Sequence, residues 1–336
     1  MPILTRKSVP MTDSGGPLVD DPANIRLGFA GLRAPDYHPY SWSAILNGYD
    51  REVLAARCPC APIIDYLGSQ PPADFGVSGA RVTHIWCDDR DDAERVASCC
   101  HIANIAASAT DLIGAVDAVL IPVDIGGEHV ERARPFIEAG VPVFIDKPLV
   151  DNLPDLQQFI AWHAAGHKLM SSSGLRYSAR FAELRQRLAA VGTLQLIVMT
   201  MGMTWEQYAI HALESVYPFL PPGGWLDIVN TGTAGRDVAH LRHASGVDVM
   251  VAVVDDMDGG FGCMTLYGTE GHISAQFDDS FQAFKAQLTG FITYLQTGTL
   301  PFPFSQTVEL MRMVIGGLRS RDQQGRRIDL TQPLPS

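Results

Sequence analysis

The chain has 336 residues, 46% of them hydrophobic and 18% charged, and 25 Lys and Arg against 37 Asp and Glu give a net charge of −12. That length holds two domains and a sizeable core, while the negative balance, with no basic tract, argues against a nucleic-acid partner. No apolar run is long enough to span a membrane and the N-terminus has no secretory-type apolar stretch, so a cytoplasmic protein is expected.

Residues 1–23 are polar and rich in Pro, Gly and Asp and read as a flexible arm. Ile25–Ala30 is the first predicted strand, and a helix is predicted from near Ser41 through Trp42, Ile45 and Leu46. Residues of about 50–80 are rich in Pro and Gly without periodicity, which marks an insertion. Val82–Trp86 is the next strand, followed by a helix over about Asp91–Cys99, a helical turn at Asp111–Gly114 and the strand Ala118–Ile121. A helix over Glu128–Ala139 leads to the buried-looking strand Val141–Ile145 and then to Asp146-Lys147-Pro148. Alternating strands and helices imply a mostly parallel sheet with right-handed crossovers, and a Lys at the carboxyl end of such a strand stands where open α/β sheets bind ligands.

After Pro148 the pattern changes. A helix is predicted from near Asn152, with Pro154 in its first turn, then a short strand Lys168–Ser172, the segment Gly174–Tyr177 and a charged helix to Ala190. Strands are predicted at Leu194–Met203, Trp225–Val229, Val247–Val254, Gly262–Tyr267 and His272–Phe277, and the end of the chain reads as helical. A run of strands after helices predicts a second, α+β domain on one largely antiparallel open sheet. The expected organisation is therefore an arm at 1–23, a Rossmann-type doubly wound domain at 24–148 and an α+β substrate or oligomerisation domain at 149–336.

Cys58, Cys60, Cys87, Cys99, Cys100 and Cys263 are scattered and read as free thiols rather than a disulfide scaffold. The pairs His163/His167 and His240/His243 have helix-face spacings, but no further ligand type converges on them, and no metal site is expected.

The stretch Val116–Pro122, then His129, then Ala139–Pro148 with its Asp-Lys-Pro triplet resembles the Gfo/Idh/MocA oxidoreductases, in which the triplet usually reads Glu-Lys-Pro. The resemblance covers about 25–330 and is weakest at 50–80. It implies that Lys147 helps bind cofactor and substrate near the transferred hydride. Its phosphate loop departs from the dinucleotide pattern Gly-x-Gly-x-x-Gly. Here the residues are Gly31-Leu-Arg-Ala-Pro-Asp36, with Arg33 and Asp36 in place of the second and third glycines. Gly31, Leu32, Arg33 and His38 are then cofactor-binding candidates, with Arg33 and the amides near Ser41 expected to meet the phosphates, since an Arg fork binds phosphate at two points and a helix N-terminus favours anions. Asp88 closes the second strand and is the candidate for the cofactor ribose, which favours NAD over NADP, although Arg90 nearby would suit NADP. Asp124 falls where the family has Thr, and His129 matches a family His that steadies the helix start; both are counted among the cofactor-binding candidates.

The family's catalytic base lies in an Asp-x-Gly-x-His pattern, which here reads Gln207-Tyr-Ala-Ile-His211. His211 is the expected acid/base and Lys147 the cation that stabilises a developing alkoxide. Arg176, Trp205, Gln207 and Tyr208 are the expected substrate-binding residues. The resemblance implies an NAD(P)-dependent oxidoreductase acting on a sugar, sugar derivative or cyclitol as a homodimer or homotetramer. Two other readings stay open: a lyase or NAD-assisted glycosidase on the same fold, and an inactive regulatory protein sensing a dinucleotide or sugar.

Overall fold

The computed structural model describes residues 15–257, 260–332 and 334. Residues 1–14 of the expected arm lie outside them. In chain order the elements are β1 (Ile25–Ala30), α1 (His38–Asn47), α2 (Arg51–Arg57), α3 (Ala61–Gly68), β2 (Ala80–Trp86), α4 (Arg90–Cys99), β3 (Asn104–Ile105), β4 (Ala118–Ile121), α5 (His129–Glu138), β5 (Val143–Ile145), α6 (Leu153–Ala164) and β6 (Leu169–Ser171). They are followed by α7 (Ala179–Gln186), β7 (Leu194–Gly202), α8 (Trp205–Val216), β8 (Trp225–Asn230), β9 (Arg236–His243), β10 (Asp248–Val254), β11 (Cys263–Gly268), β12 (Gly271–Gln276), α9 (Ser280–Thr297), α10 (Phe304–Asp322) and β13 (Ile328–Asp329).

The first sheet is parallel throughout, in the order β3-β2-β1-β4-β5-β6. Its central strands β4, Ala-Val-Leu-Ile, and β5, Val-Phe-Ile, are buried on both faces, which is why they read as unbroken apolar runs. The sheet continues past residue 148, the expected boundary, because β6 pairs with β5 in register Phe144 to Met170. The Pro-rich insertion is largely helical, holding α2 and α3. Asp50 caps α2 by accepting from the amides of Glu52 and Val53.

The second sheet has the order β12-β11-β7-β10-β9-β8-β13 and is antiparallel except for the pairing of β7 with β10. Its strand β9 was not expected. Asp237, Ala239, Leu241 and His243 are its buried positions, and an Asp and a His among them hide the period-two signal. His240 and His243 thus lie on a strand, not a helix, and face opposite sides of it. His240 meets Asp248, while His243 packs beside the carbonyls of Pro221 and Gly223.

The two sheets share core rather than standing apart. Val119, Ile121 and Ile145 of the parallel sheet belong to the same apolar cluster as Met199, Leu213 and Val314. On the other face of the first sheet, Phe281, Leu288, Phe291 and Leu295 of α9 pack with Phe29, Trp42 and Phe144. Residues 15–23 lie against α9: the Leu18 amide donates to the Leu295 carbonyl at 2.8 Å and Gln296 donates to the Pro22 carbonyl at 2.9 Å. The return of α9 to the N-terminal half closes one side of a hollow at the carboxyl ends of the parallel strands.

Candidate active site

That hollow encloses about 190 Å³ and is lined by Asp36, His38, Asp124, Lys147, Gln207 and Tyr208, with Pro35, Tyr37, Cys60, Ile63, Tyr66, Met203 and Phe284 completing its walls. Its polar residues come from four places: the turn after β1, the loop after β4, the end of β5 and the first turns of α8. Lys147 is 3% exposed. Its ammonium stands 3.8 Å from Asp124 Oδ2 and 4.8 Å from the centre of the Tyr208 ring. Gln207 Nε2 donates to the same Asp124 oxygen at 3.1 Å. Asp124 thus joins the loop after β4 to both Lys147 and α8.

On the opposite wall, His38 Nδ1 lies 2.5 Å from Asp146 Oδ2 and 3.3 Å from Asp36 Oδ1. The backbone amide of Lys147 donates to the other Asp146 oxygen at 2.7 Å. The His38 ring stacks on Trp42 at 4.6 Å and meets Phe284 edge-on. The three residues Asp36, His38 and Asp146 each offer a ligand atom within 4.8 Å of the others. Burial works against each charge, but the group sorts them. His38 is raised above its ordinary pKa by Asp36 and Asp146, which outweigh its desolvation. Asp146 is held below the usual carboxylate range by His38 and Lys147 despite its burial. Asp36, desolvated and beside Asp146 and Asp124, is pushed up to about 7. Lys147 loses hydration, yet Asp146, Tyr208 and Asp124 hold its pKa above normal.

Several expected site residues lie elsewhere. His211 is buried behind Tyr208, ring centres 4.9 Å apart, and its Nδ1 is 2.6 Å from Ser173 Oγ. Burial, with Lys147 and His38 nearby, pushes its pKa well below normal. It is not among the residues that line this hollow. Trp205 is fully buried and donates to the Val314 carbonyl at 3.0 Å, which makes it core and not a stacking platform. Arg176 is locked into a buried ion pair with Glu214 at 2.6 Å and covers the Phe302 ring at 3.8 Å. It braces Glu214 against Ser173 instead of reaching the hollow. His129 has its ring nitrogens against the carbonyls of Leu149 and Val123, fully buried, and ties the loop after β4 to the segment after Lys147. Leu32 points into the core. Residues missed by sequence reasoning are Asp36 and Asp146 as reactive groups, and Cys60, Tyr66 and Phe284 as walls. An Asp-x-His at a helix start was the available signal for Asp36; nothing local marks Phe284, which α9 delivers.

A second hollow of about 450 Å³ opens at the ends of β1 and β2 beside α5, lined by Ala30, Trp86, Asp88, Glu128, Arg132 and Phe136 among others. It lies within the span of roughly 300–1,000 Å³ usual for small-molecule sites. Whether a dinucleotide suits this pair of hollows can be tested on the loop between them. Gly31 has φ +118°, and a Cβ there would meet Val123 at 3.0 Å and Arg132 Nη1 at 3.1 Å, so the first glycine's tight turn is kept. Asp88 sits at the ribose position of β2, in a bidentate contact with Arg132 at 3.1 and 3.2 Å. The phosphate end is rebuilt. The His38 amide, first in α1, is taken by Asp36 Oδ1 at 3.1 Å, and the cations nearby are Arg33 and Arg132, both paired with Glu128. The residues at this loop that could meet a dinucleotide are Asp88 at the ribose end and Arg33 and Arg132 at the phosphate end, in place of glycine amides.

Residues 70–173 match the family described as "Oxidoreductase family, NAD-binding Rossmann fold". The matched span runs from the segment before β2 through β6 of the parallel sheet. An inositol 2-dehydrogenase of Saccharopolyspora erythraea is 33% identical over 120 residues, which is 34% of this chain and 35% of that protein. The aligned segments span no more than 40% of the length of the two curated relatives matched. In fold the likeness runs further. The myo-inositol 2-dehydrogenase structure from Lactobacillus plantarum superposes with a TM-score of 0.71 at 12% identity, covering 91% of this chain and 99% of that one. The myo-inositol dehydrogenase of Lactobacillus casei in complex with NAD(H) and myo-inositol gives 0.68 at 15% identity, covering 91% and 96%. The fold shared with these structures thus extends over both sheets.

Proposed function

We propose that this chain is an oxidoreductase that moves hydride between a nicotinamide dinucleotide and a secondary alcohol or carbonyl of a sugar, sugar derivative or cyclitol. The observation that carries the reading is the buried Lys147 ammonium on the wall of the hollow between the carboxyl ends of the parallel strands and α8, beside Asp124 and Tyr208. The relatives named for inositol oxidation support the substrate class. Asp88 favours NAD, because a carboxylate there suits free ribose hydroxyls and repels a 2′-phosphate.

In this reading Gly31, Asp88, Arg33 and Arg132 hold the dinucleotide, which supplies the hydride-accepting ring when bound. Lys147 holds the substrate oxygen and stabilises the charge that grows on it as the carbon–hydrogen bond breaks. Asp124 and Gln207 fix Lys147 and offer hydrogen bonds to neighbouring hydroxyls. Tyr208 supplies an apolar wall for a ring face. Asp36 and His38 on the cavity wall, with Asp146 buried behind His38, would take or return the hydroxyl proton.

The chain would act in the cytoplasm, a reading supported by the lack of any disulfide and of any helix long and apolar enough to cross a membrane among the described residues. A dimer or tetramer would form through the uncovered face of the second sheet, which exposes Val238, Met250 and Tyr267.

Fluorescence titration with NADH and NADPH tests the cofactor, and a polyol and aldose panel with NAD and NADP tests turnover. Tight NADH binding with turnover of a cyclitol or sugar is expected. A second reading, a non-redox enzyme or a ligand sensor, is favoured by one observation: Asp36 occupies the α1 amide that would otherwise meet phosphate. Absence of dinucleotide binding would select it.

A further inference from the structure

We propose that Asp36, His38 and Asp146 form a binding site for a divalent transition-metal ion on the wall of the inner hollow. One ligand atom from each residue lies within 4.8 Å of the other two. His38 Nδ1 is 2.5 Å from Asp146 Oδ2 and 3.3 Å from Asp36 Oδ1. Small side-chain rotations spread these atoms around an ion at the roughly 2.0–2.2 Å bond lengths of nitrogen and carboxylate ligands. His38 opens α1, Asp36 lies in the turn just before it, and Asp146 follows β5 directly. Trp42 and Phe284 fix the plane of the imidazole, and the Lys147 amide fixes the other Asp146 oxygen, as outer partners orient ligands in metal sites.

A second observation points the same way. Asp36 is only 8% exposed, its side chain lines the hollow, and its Oδ2 is buried with no hydrogen-bond partner. Buried carboxylate oxygens are costly unless paired or bound to a cation. The local charge also asks for one. Three carboxyl groups, Asp36, Asp124 and Asp146, thus gather beside the single Lys147 ammonium, and a divalent ion at Asp36, His38 and Asp146 would add positive charge to that side. A set of one imidazole and two carboxylates suits Zn(II) or Mn(II), and three protein ligands leave an open position toward the hollow for water or a substrate oxygen. The site does not depend on the redox reading and stands whether or not a dinucleotide binds.

The test uses the full chain, stripped with a chelator, desalted and titrated calorimetrically with ZnCl2 and, separately, MnCl2. One equivalent of at least one ion is expected to bind. Asp36→Asn and His38→Gln are each expected to weaken that binding at least ~100-fold, more than the roughly 10–100-fold typical for loss of an outer partner. X-ray absorption of the zinc-loaded wild-type protein is expected to show nitrogen and oxygen neighbours without sulfur, and it decides the matter should either variant fail to fold. No binding of either ion, binding untouched by both substitutions, or a sulfur shell drawn from the cysteines overturns the proposal.

Discussion

Lys147 Nζ and Asp124 Oδ2 face each other at 3.8 Å inside a hollow where both side chains are almost completely removed from water. Lys147→Met deletes the cation while keeping the bulk of the side chain. The turnover rate is expected to fall about 10²–10³-fold, the range for losing one preorganised stabiliser of a developing oxyanion. NADH affinity, measured by fluorescence, is expected to change far less, because Asp88 and Arg132 line the second hollow and Lys147 does not. A parallel collapse of both quantities would mean that Lys147 serves the fold or the cofactor rather than the reaction.

Arg33 and Arg132 share Glu128, at 3.4 and 2.7 Å. A phosphate arriving at this loop must compete with that carboxylate. Glu128→Gln is expected to tighten NADH binding and Arg33→Ala to weaken it, each by about tenfold, the scale of one charge-assisted hydrogen bond. Both effects should shrink as salt is added. Identical affinities for the two variants would remove the arginines from the phosphate grip.

Gly317 on α10 lies under the Trp205 indole so closely that a Cβ there would stand 2.3 Å from the ring. Gly317→Ala therefore forces either the helix or the indole to move. A loss of about 1–3 kcal/mol in chemical denaturation is expected, the usual cost of overpacking a core. The NADH dissociation constant should stay put, since Trp205 is core and lines neither hollow. A selective loss of substrate affinity would instead restore Trp205 to the site.

Asp227 accepts from Arg242 and from Arg327, the latter at 3.0 Å. Burial opposes its ionisation, but the two guanidiniums outweigh burial and hold its pKa below the usual carboxylate range. A depressed acid stabilises the fold above its unfolded pKa of about 3.9 and loses that contribution as pH falls through the folded value. Wild type should melt above Asp227→Asn at pH 6, and the two curves should converge as the pH drops below about 3. A gap that is constant from pH 7 to pH 2.5 would show that the ion pairs contribute nothing to stability, as partly exposed arginines allow.

Lys147 was legible because an apolar run ending in Asp-Lys-Pro can only be a buried strand delivering a charge at its carboxyl edge. Gln207, Tyr208, Asp124 and His38 were found by the same alignment of motifs and do meet in one hollow. His211 lies one layer behind Tyr208 because spacing puts it on the same face as Gln207 but says nothing of depth. The Ser173 hydroxyl, from the turn after β6, holds it below the surface of the cavity. Arg176 was a candidate as a free cation, and its capture by Glu214 from α8 depends on a contact between elements that no local pattern reports.

Periodicity and end signals in the chain were sufficient for the parallel sheet, its helices and the lysine at its edge, since burial on two faces imposes apolar runs and every strand end must be closed by a turn. The tertiary structure alone decided which charges face one another. It set Asp36 against His38 and Asp146, shut Trp205 and His211 away, and brought Phe284 across from α9. Such pairings are made across long sequence separations, where the energy of a charge depends on desolvation and on neighbours contributed by other elements, and neither quantity leaves a mark on the residues nearby in the chain.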